Sequence, residues 1–206
     1  MSPFRLTLLR HGEAEGSTER LLGHTDPALT GEGWHQLRTR WRQIERHEVT
    51  ALASSDLVRC ASFARERAVT LGIPLRIDAG WRECHFGALD GRIRTELDID
   101  ELAALTDYQR EPERHTLPGG ESWQQLKARV LGTTERWIAG SKGGHRVLIT
   151  HGGVIRALLV NWLDMQSARQ SQFWLDYAGA VSLWWDDGHP PILLGIDNTP
   201  INRELP

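Results

Sequence analysis

The stretches RLTLLRHG (residues 5–12) and HRVLITHGG (residues 145–153) decide the fold of this chain. Each is a short, mainly apolar run that ends directly at a histidine followed by glycine. A run of this kind is typical of a buried strand in a parallel sheet. The two stretches therefore predict two buried strands, with His11 and His151 at their carboxyl ends.

Helical patterns separate the predicted strands. After Thr30, a typical N-cap residue, apolar side chains recur every three or four positions from Trp34 to Ile44. The Ser54–Asp56 cluster predicts a cap before another helix, which Gly72 ends. This alternation predicts an α/β fold with a mostly parallel sheet covered on both faces. Further strands are predicted at residues 49–53, 73–77, 180–186 and 191–196, and further helices at about residues 95–105, 121–139 and 153–163.

The chain of 206 residues contains no linker, repeat or low-complexity tract, which predicts a single domain over residues 1–206. Pro74 favours an edge position for the strand at residues 73–77, because proline cannot donate a ladder hydrogen bond. The stretch of about residues 90–118 is rich in charge and interrupts the alternation of strands and helices. We expect this stretch to form a lid-like insertion.

Composition excludes several classes of protein. The net charge is −3 and no long basic block is present, so a nucleic-acid binder is not expected. No apolar run approaches the roughly 20 residues that a membrane-spanning helix needs. The two cysteines, Cys60 and Cys84, do not make a disulfide framework, and the first residues lack the features of a signal peptide. We therefore expect a cytoplasmic protein that does not bind membranes.

Polar side chains that suit phosphate chemistry follow three of the predicted strands. Arg10 and His11 end the first strand, and His151 ends a later one. Arg59 lies on the first turn of the helix that follows the second strand. The carboxyl ends of parallel strands form the edge where α/β proteins bind their ligands. The pattern therefore predicts that these four side chains share one site.

Their chemistry points to phosphoryl transfer. A neutral histidine can attack phosphorus with a free nitrogen lone pair. Guanidinium groups match a phosphoryl group in charge and geometry. Nearby cations also lower the pKa of a histidine, because they disfavour its charged form. We therefore expect Arg10 and Arg59 to bind phosphate and to keep His11 neutral.

Dephosphorylation also needs an acid to protonate the leaving oxygen, and the same group can later activate water. Glu83 in WRECHFGALDG (residues 81–91) is the candidate, because flanking aromatic residues would bury it in part. The alternative is a surface carboxylate paired with Arg82 or Arg92. Spacing alone leaves both interpretations open.

These motifs together resemble the histidine phosphatase superfamily, in its phosphoglycerate-mutase-like branch. The resemblance implies a three-layer α/β/α sandwich and a phosphohistidine mechanism that uses neither a metal nor a cofactor. It covers roughly residues 5–199, and the motifs stand in the family's order. The matching segments are LLRHGEAEG (8–16), LLGHTDPALTGEG (21–33), SSDLVRCASFA (54–64), WRECHFGALDG (81–91), PGGESW (118–123) and ITHGGVIRALL (149–159).

The resemblance also implies a role for each site residue. His11 corresponds to the family's nucleophile and Glu83 to its proton donor. Other positions correspond to residues that bind the phosphoryl group or the rest of the substrate. These are Arg10, Arg59, His151, Gly152 and Gly23.

The expected activity is hydrolysis of a phosphate monoester of a small metabolite. The segments GHTDPALT (23–30) and HFGALDG (85–91) resemble the alpha-ribazole phosphatase group. Alpha-ribazole 5'-phosphate, an intermediate of cobalamin biosynthesis, is therefore a candidate substrate. In the phosphoglycerate mutases that these motifs resemble, a threonine precedes the glycine of the substrate loop. Here Leu22 precedes Gly23, which disfavours a phosphoglycerate mutase. A broad-specificity sugar or nucleotide phosphatase is a further alternative.

Two other classes stay open from sequence. An inactive scaffold or binding protein is disfavoured, because none of the predicted site residues is lost. A metallohydrolase with His11 and His151 as ligands would need carboxylate–histidine clusters, which the sequence lacks. Exposed members of the nine tryptophans would suit either a homodimer face or a wall that binds a ring.

Overall fold

A mostly parallel sheet of six strands lies between two layers of helices. The computed structural model describes residues 2–140, 143–186 and 189–198. Within these ranges it confirms the three-layer α/β/α sandwich. The strands are β1 (Phe4–Arg10), β2 (Val49–Ser54), β3 (Leu75–Ile77), β4 (Gly144–Thr150), β5 (Ala180–Trp185) and β6 (Ile192–Asp197), and the helices are α1 (Gly31–Ile44), α2 (Val58–Leu71), α3 (Ile99–Arg110), α4 (Trp123–Ala139) and α5 (Gly152–Trp162).

The strand order in the sheet is β3-β2-β4-β1-β5-β6. The first four strands in this order run parallel, whereas β5 and β6 pair antiparallel to their neighbours. β3 lies at one edge, which confirms the position that Pro74 predicts. β1 and β4 lie side by side, in a register that pairs Arg10 with Thr150. His11 and His151 therefore leave the sheet next to each other.

Alternate side chains of β4 enter the two apolar layers. Val147 and Ile149 belong to one buried cluster with residues of α1 and α2. Leu148 belongs to the other, with residues of α4 and α5. Because both faces are covered, the strand is apolar on both sides, as the unbroken run of apolar residues predicts.

The predicted ends of two helices are confirmed. The Thr30 side chain caps α1 by accepting a hydrogen bond from a backbone N–H in its first turn. Gly72 ends α2 with a φ of 64°, a left-handed conformation that glycine adopts without a steric penalty. The remaining predicted strands and helices also form. Most bounds shift by one or two residues, but the helix predicted at about residues 95–105 begins at Ile99 and ends at Arg110.

The predicted cap of α2 is wrong. The N-cap residue is Leu57, and the Ser54–Asp56 cluster makes no side-chain capping bond to the helix. Asp26, from the loop after β1, accepts the Val58 N–H at 2.7 Å instead. A carboxylate from a distant loop thus takes the place of the local cap, and it ties that loop to the helix that carries Arg59.

Residues 90–118 contain α3 and a short turn at Arg94–Glu96. A capping box between Asp98 and Glu101 starts α3. Leu105 and other residues of this helix pack into the same apolar cluster as α4 and α5. A lid-like role for this segment stays a prediction. None of the described helices combines the length and apolar character needed to cross a bilayer.

His145 is a buried histidine on β4. Its Nδ1–H donates to the His47 carbonyl at 3.2 Å, and its Nε2 accepts from the Thr7 hydroxyl at 2.8 Å. The neutral ring is therefore satisfied at both nitrogens. Burial lowers the pKa of His145 to about 4, so the folded protein binds this proton less readily than the unfolded chain does.

We predict that acid destabilises the fold in part through His145. The stability that its neutral form contributes is present above pH 6.5 and is lost as the pH falls toward about 4. The loss from this group amounts to about 2 kcal/mol between pH 7 and pH 5. Denaturant unfolding of the wild type and His145→Gln across this range checks it. A variant whose stability depends on pH as steeply as the wild type would contradict the prediction.

Candidate active site

The adjacent ends of β1 and β4 bring the two predicted histidines together. The backbone N–H of His11 donates to the Thr150 carbonyl at 2.9 Å. This bond extends the hydrogen bonding between β1 and β4 one residue beyond the last paired residues. The rings of His11 and His151 lie with their centroids 5.2 Å apart and their planes at 62°. Strand register alone therefore places both rings at one point of the sheet edge.

His11 is held in a single tautomer. The residue is only 5% exposed, and its Nδ1 lies 2.7 Å from the Gly12 carbonyl. Because a carbonyl only accepts, Nδ1 carries the proton and Nε2 keeps its lone pair. Burial, together with the Arg59 and Arg10 guanidinium groups, holds the pKa of His11 well below its usual value. The ring is therefore neutral and nucleophilic at pH 7.

Arg10 and Arg59 bring two cations to this ring. The Nε atoms of both arginines are buried and find no hydrogen-bond partner among the described residues. Arg10 donates from Nη1 to the Leu175 carbonyl, and its guanidinium lies 4.4 Å from the centre of the Tyr177 ring. A buried N–H without an acceptor is costly, and an anionic oxygen would satisfy it. The arrangement of these two cations therefore suits an oxyanion beside His11, and their binding of a phosphoryl group stays a prediction.

The loop after β1 orients Arg59. The Arg59 Nη1 donates to the Thr25 carbonyl at 2.8 Å, and Nη2 donates to the Gly23 carbonyl at 2.7 Å. A Cβ on Gly23 would lie 2.5 Å from both Asp90 Oδ2 and the Cys84 carbonyl oxygen, so the position needs glycine. The resemblance implies that Gly23 binds substrate. In the structure Gly23 contacts Arg59 and Asp90 and is not among the residues that line the cleft, so that role stays a prediction.

His151 is fully buried. Its Nε2 lies 2.9 Å from the Ser55 hydroxyl, which follows β2, and 3.6 Å from Cys60 Sγ. Burial and the neighbouring Arg59 guanidinium hold the pKa of His151 well below its usual value. His151 is therefore neutral at pH 7. Like Arg59, it lies behind the surface of the site and is not among the residues that line the cleft, so its role in phosphate binding stays a prediction.

Glu83 extends its carboxylate to the start of α5. Its Oε2 accepts from the Gly153 N–H at 3.1 Å, and its Oε1 accepts from the Cys84 N–H at 2.9 Å. Arg82 and Arg92 pair with other carboxylates, which contradicts the alternative of a surface ion pair for Glu83. The carboxylate instead contacts Gly153, the residue after Gly152. It therefore lies at the edge of the sheet where His11 lies.

Two glycines at the start of α5 leave room for this arrangement. A Cβ on Gly153 would lie 2.3 Å from Glu83 Oε1, well inside van der Waals contact. A Cβ on Gly152 would lie 3.6 Å from Arg10 Nε and 3.7 Å from Arg156 Nη1. The carboxylate of Glu83 and the guanidinium groups of Arg10 and Arg156 therefore all lie close to the first turn of α5.

The site opens into a cleft of 740 Å³, a volume that suits a small molecule. Arg10, His11, Glu83 and Gly152 line this cleft. Its other walls combine polar and cationic side chains with apolar and aromatic ones. The apolar and aromatic ones include Leu21, Leu22, Phe86, Leu105, Tyr108, Leu126, Trp174 and Tyr177.

Sequence reasoning missed three arginines that also line the cleft, Arg20, Arg94 and Arg156. Arg156 donates from Nε to the Phe173 carbonyl at 3.1 Å. It follows Gly152 by four residues on α5, and this spacing places both on one helix face. That spacing was the available signal, whereas the sequence carries none for the other two. The ion pairs found within residues 2–140, 143–186 and 189–198 include none of the three arginines.

The side chains that meet here suit an oxyanion better than a metal ion. Within the described ranges, no group of three or more His, Cys, Asp or Glu side chains is placed to hold a metal. The two histidines lie beside two guanidinium groups, which repel a cation. The donor set therefore fits the metallohydrolase alternative poorly.

Comparison with known proteins agrees with this geometry. The family model for the histidine phosphatase superfamily (branch 1) matches residues 6–198. The chain belongs to the histidine phosphatase superfamily. The family that the sequence motifs resemble is thereby confirmed.

Relatives of the chain differ in size and in name. The bifunctional protein Rv2228c of Mycobacterium tuberculosis is 31% identical over 205 residues, which cover 94% of this chain and 54% of that protein. The chain thus spans about half the length of that relative. Probable phosphoglycerate mutase GpmB of Serratia proteamaculans is 28% identical, over 77% of this chain and 74% of that protein. The structure of the mycobacterial glucosyl-3-phosphoglycerate phosphatase Rv2419c matches with a TM-score of 0.78 and 26% identity, over 88% of this chain and 90% of that one.

We predict that Gly153→Ala displaces the Glu83 carboxylate. The added methyl group would meet Glu83 Oε1 at 2.3 Å, so the carboxylate must leave the backbone N–H. Phosphate release from an alkyl phosphate should fall by about 10-fold or more. The matched control is Gly31→Ala at the start of α1, where a Cβ meets nothing within 4 Å. Full turnover by Gly153→Ala would show that this carboxylate position is dispensable.

Proposed function

We propose that this histidine phosphatase is a metal-independent phosphomonoesterase that acts on a small phosphorylated metabolite through a phosphohistidine at His11. One observation carries the proposal. The His11 ring is fixed by the Gly12 carbonyl with its Nε2 lone pair free, and beside it are two buried guanidinium Nε–H groups that find no acceptor in the part of the chain that the structure describes. A phosphoryl group in transfer needs such a nucleophile and such charge stabilisation.

The reaction has two steps. In the first, His11 Nε2 attacks phosphorus, the bond from phosphorus to the alcohol oxygen breaks, and Glu83 gives its proton to that oxygen. Arg10, Arg59 and His151 bind the phosphoryl oxygens. In the second step, ionised Glu83 takes a proton from water as the water oxygen attacks phosphorus. The bond from phosphorus to nitrogen breaks, inorganic phosphate leaves, and both side chains return to their starting states.

We predict that His11→Ala abolishes turnover, because the variant lacks the attacking lone pair. The measurement is phosphate release from an activated aryl phosphate in excess chelator. His35→Ala, at an exposed histidine of α1, is the matched control and should keep full activity. Mass spectrometry of rapidly quenched wild-type protein should find an acid-labile phosphate on His11.

Each contrary result identifies a different alternative. Substantial turnover by His11→Ala would reject the phosphohistidine mechanism. Loss of wild-type activity in chelator would support a metallohydrolase. A wild type that is inactive on every phosphate ester tested would support a scaffold or binding role.

Alpha-ribazole 5'-phosphate is the first candidate substrate. Two segments of the sequence, residues 23–30 and 85–91, resemble the group of enzymes that hydrolyse it. The cleft also offers aromatic faces for a base ring, from Phe86, Tyr108 and Trp174. Its volume of 740 Å³ is sufficient for a ligand of nucleotide size.

Arg94 and Arg156 favour a second candidate class, phosphate esters whose alcohol carries an anionic group. Both line the cleft. Arg156 Nη1 lies close to the same backbone position as Arg10 Nε, so a second anion bound there would lie beside the phosphoryl group. Two relatives bear names of this class, a probable phosphoglycerate mutase and a glucosyl-3-phosphoglycerate phosphatase.

A matched pair of esters separates the two candidates. 3-Phosphoglycerate and glycerol 3-phosphate differ only by a carboxylate in place of a hydroxymethyl group. If the second class is correct, kcat/KM should favour 3-phosphoglycerate by about 10-fold or more, as for a charged hydrogen bond. Arg156→Met should remove that preference and leave glycerol 3-phosphate unaffected.

The opposite outcome favours the first candidate. Alpha-ribazole 5'-phosphate would then be the best substrate, and Arg156→Met would not change its kcat/KM. Conversion of 3-phosphoglycerate to 2-phosphoglycerate, without phosphate release, would instead identify a mutase.

A further inference from the structure

Arg129 and Glu121 form a partly buried ion pair behind the site, outside the set of residues that line the cleft. Arg129 lies on α4, and Glu121 lies just before that helix. Their side chains are 24% and 13% exposed. The contacts are bidentate, with Arg129 Nε 2.7 Å from Glu121 Oε1 and Nη2 2.6 Å from Oε2.

The rest of the Arg129 guanidinium binds the backbone that carries Glu83. Nη1 donates to the Gly80 carbonyl at 3.1 Å and to the Arg82 carbonyl at 2.8 Å. Nη2 donates to the carbonyl of Glu83 itself at 3.1 Å. A guanidinium has five N–H donors, and the three backbone contacts and the two to Glu121 use all of them.

Glu121 holds the other side of the same segment. Its backbone N–H donates to the His85 carbonyl at 2.9 Å, and its Oε2 accepts from the His85 N–H at 3.4 Å. The backbone of residues 80–85 is therefore fixed on both sides of Glu83 by one ion pair.

Three carbonyl oxygens that converge on one point repel one another unless a cation lies between them. Without Arg129, the Glu83 carbonyl would keep one contact, the His24 Nε2 atom at 3.1 Å. The backbone at Glu83 would then shift, and the carboxyl group would move with it. A displacement of about 1 Å is enough to reduce the rate of a positioned proton transfer by a large factor.

The fold of this segment has separate anchors. The Trp81 Nε1–H donates to the Thr134 hydroxyl at 2.9 Å, and the Trp81 carbonyl accepts from the Thr150 hydroxyl at 2.9 Å. Trp81 is fully buried. The segment should therefore stay docked when Arg129 is changed, while the orientation of Glu83 is lost.

We infer that the Arg129–Glu121 pair is a positioning unit for the general acid, which sets where the Glu83 carboxyl group meets the leaving oxygen. The inference rests on the proposed role of Glu83 in phosphomonoester hydrolysis. Arg129 touches neither the phosphoryl group nor the alcohol in this assignment, and it acts only through the backbone of Glu83.

The test is the dependence of kcat/KM on the leaving group in Arg129→Met. This ratio reports the steps up to phosphoryl transfer to His11. For alkyl phosphates, which need a proton on the leaving oxygen, we expect a loss of about 10- to 100-fold. For 4-nitrophenyl phosphate, whose leaving group needs no proton, we expect a loss below about 3-fold. A uniform loss across the series would overturn the inference, because it would indicate a general structural role.

Glu83→Gln, measured in the same series, separates failure of this inference from failure of the proposed function. A steeper leaving-group dependence means a larger loss of kcat/KM for alkyl phosphates than for 4-nitrophenyl phosphate. If Glu83→Gln does not make the dependence steeper, the acid role itself is wrong. If Glu83→Gln steepens it and Arg129→Met does not, only the positioning role is wrong. In the double variant, Arg129→Met should cost nothing further, since no acid is left to position. Additive losses would overturn the inference.

Two more variants complete the test. Arg38→Met breaks an arginine–carboxylate pair between α1 and α2, away from the site, and it should leave the leaving-group dependence unchanged. Glu121→Gln keeps an acceptor for Arg129 but removes the charge, so it should give a smaller steepening in the same direction. If Arg129→Met does not fold, Glu121→Gln decides the question, and an unchanged dependence there overturns the inference.

Discussion

The parallel pairing of β1 with β4 is the constraint on which the rest of the site depends. It matches Arg10 with Thr150, so the next residue of each strand is a histidine at the same edge. A slip of one residue would turn every side chain of the shifted strand to the opposite face and separate the two rings. The apolar clusters on both faces of the sheet fix this register, because each buries its own set of β4 side chains. Core packing and chemistry therefore depend on the same pairing.

That register places a neutral imidazole among permanent cations. Among the described residues, the Nε–H groups of Arg10 and Arg59 are buried and find no acceptor, an arrangement that costs stability. Backbone carbonyls, such as that of Gly23, fix the direction of the guanidinium groups. Donors arranged in advance of substrate binding stabilise a charged transition state without reorganisation. In the proposed mechanism, the cost in stability and the benefit to catalysis come from the same atoms.

The sequence was informative where chemistry coincides with the ends of local elements. His11 and His151 follow apolar runs, so strand prediction also predicted their place. Contacts between segments that are far apart in sequence left no such signal. The cap of α2 comes from Asp26 and not from the adjacent serines, because a tertiary contact outweighs a local preference. The Tyr177 ring against Arg10 and the carbonyls gathered by Arg129 also follow only from the packed structure.

The thiol beside His151 has a consequence for the conditions under which the site can work. Burial raises the pKa of Cys60, and burial raises the pKa of Cys84 to about 12. Thiolates, the forms that peroxides and alkylating agents attack, are therefore scarce at both positions. In the proposed mechanism the attacking atom is a nitrogen, so no step of it would require either sulfur to react. If that mechanism holds, oxidative stress that inactivates enzymes with a thiolate nucleophile should leave this site intact.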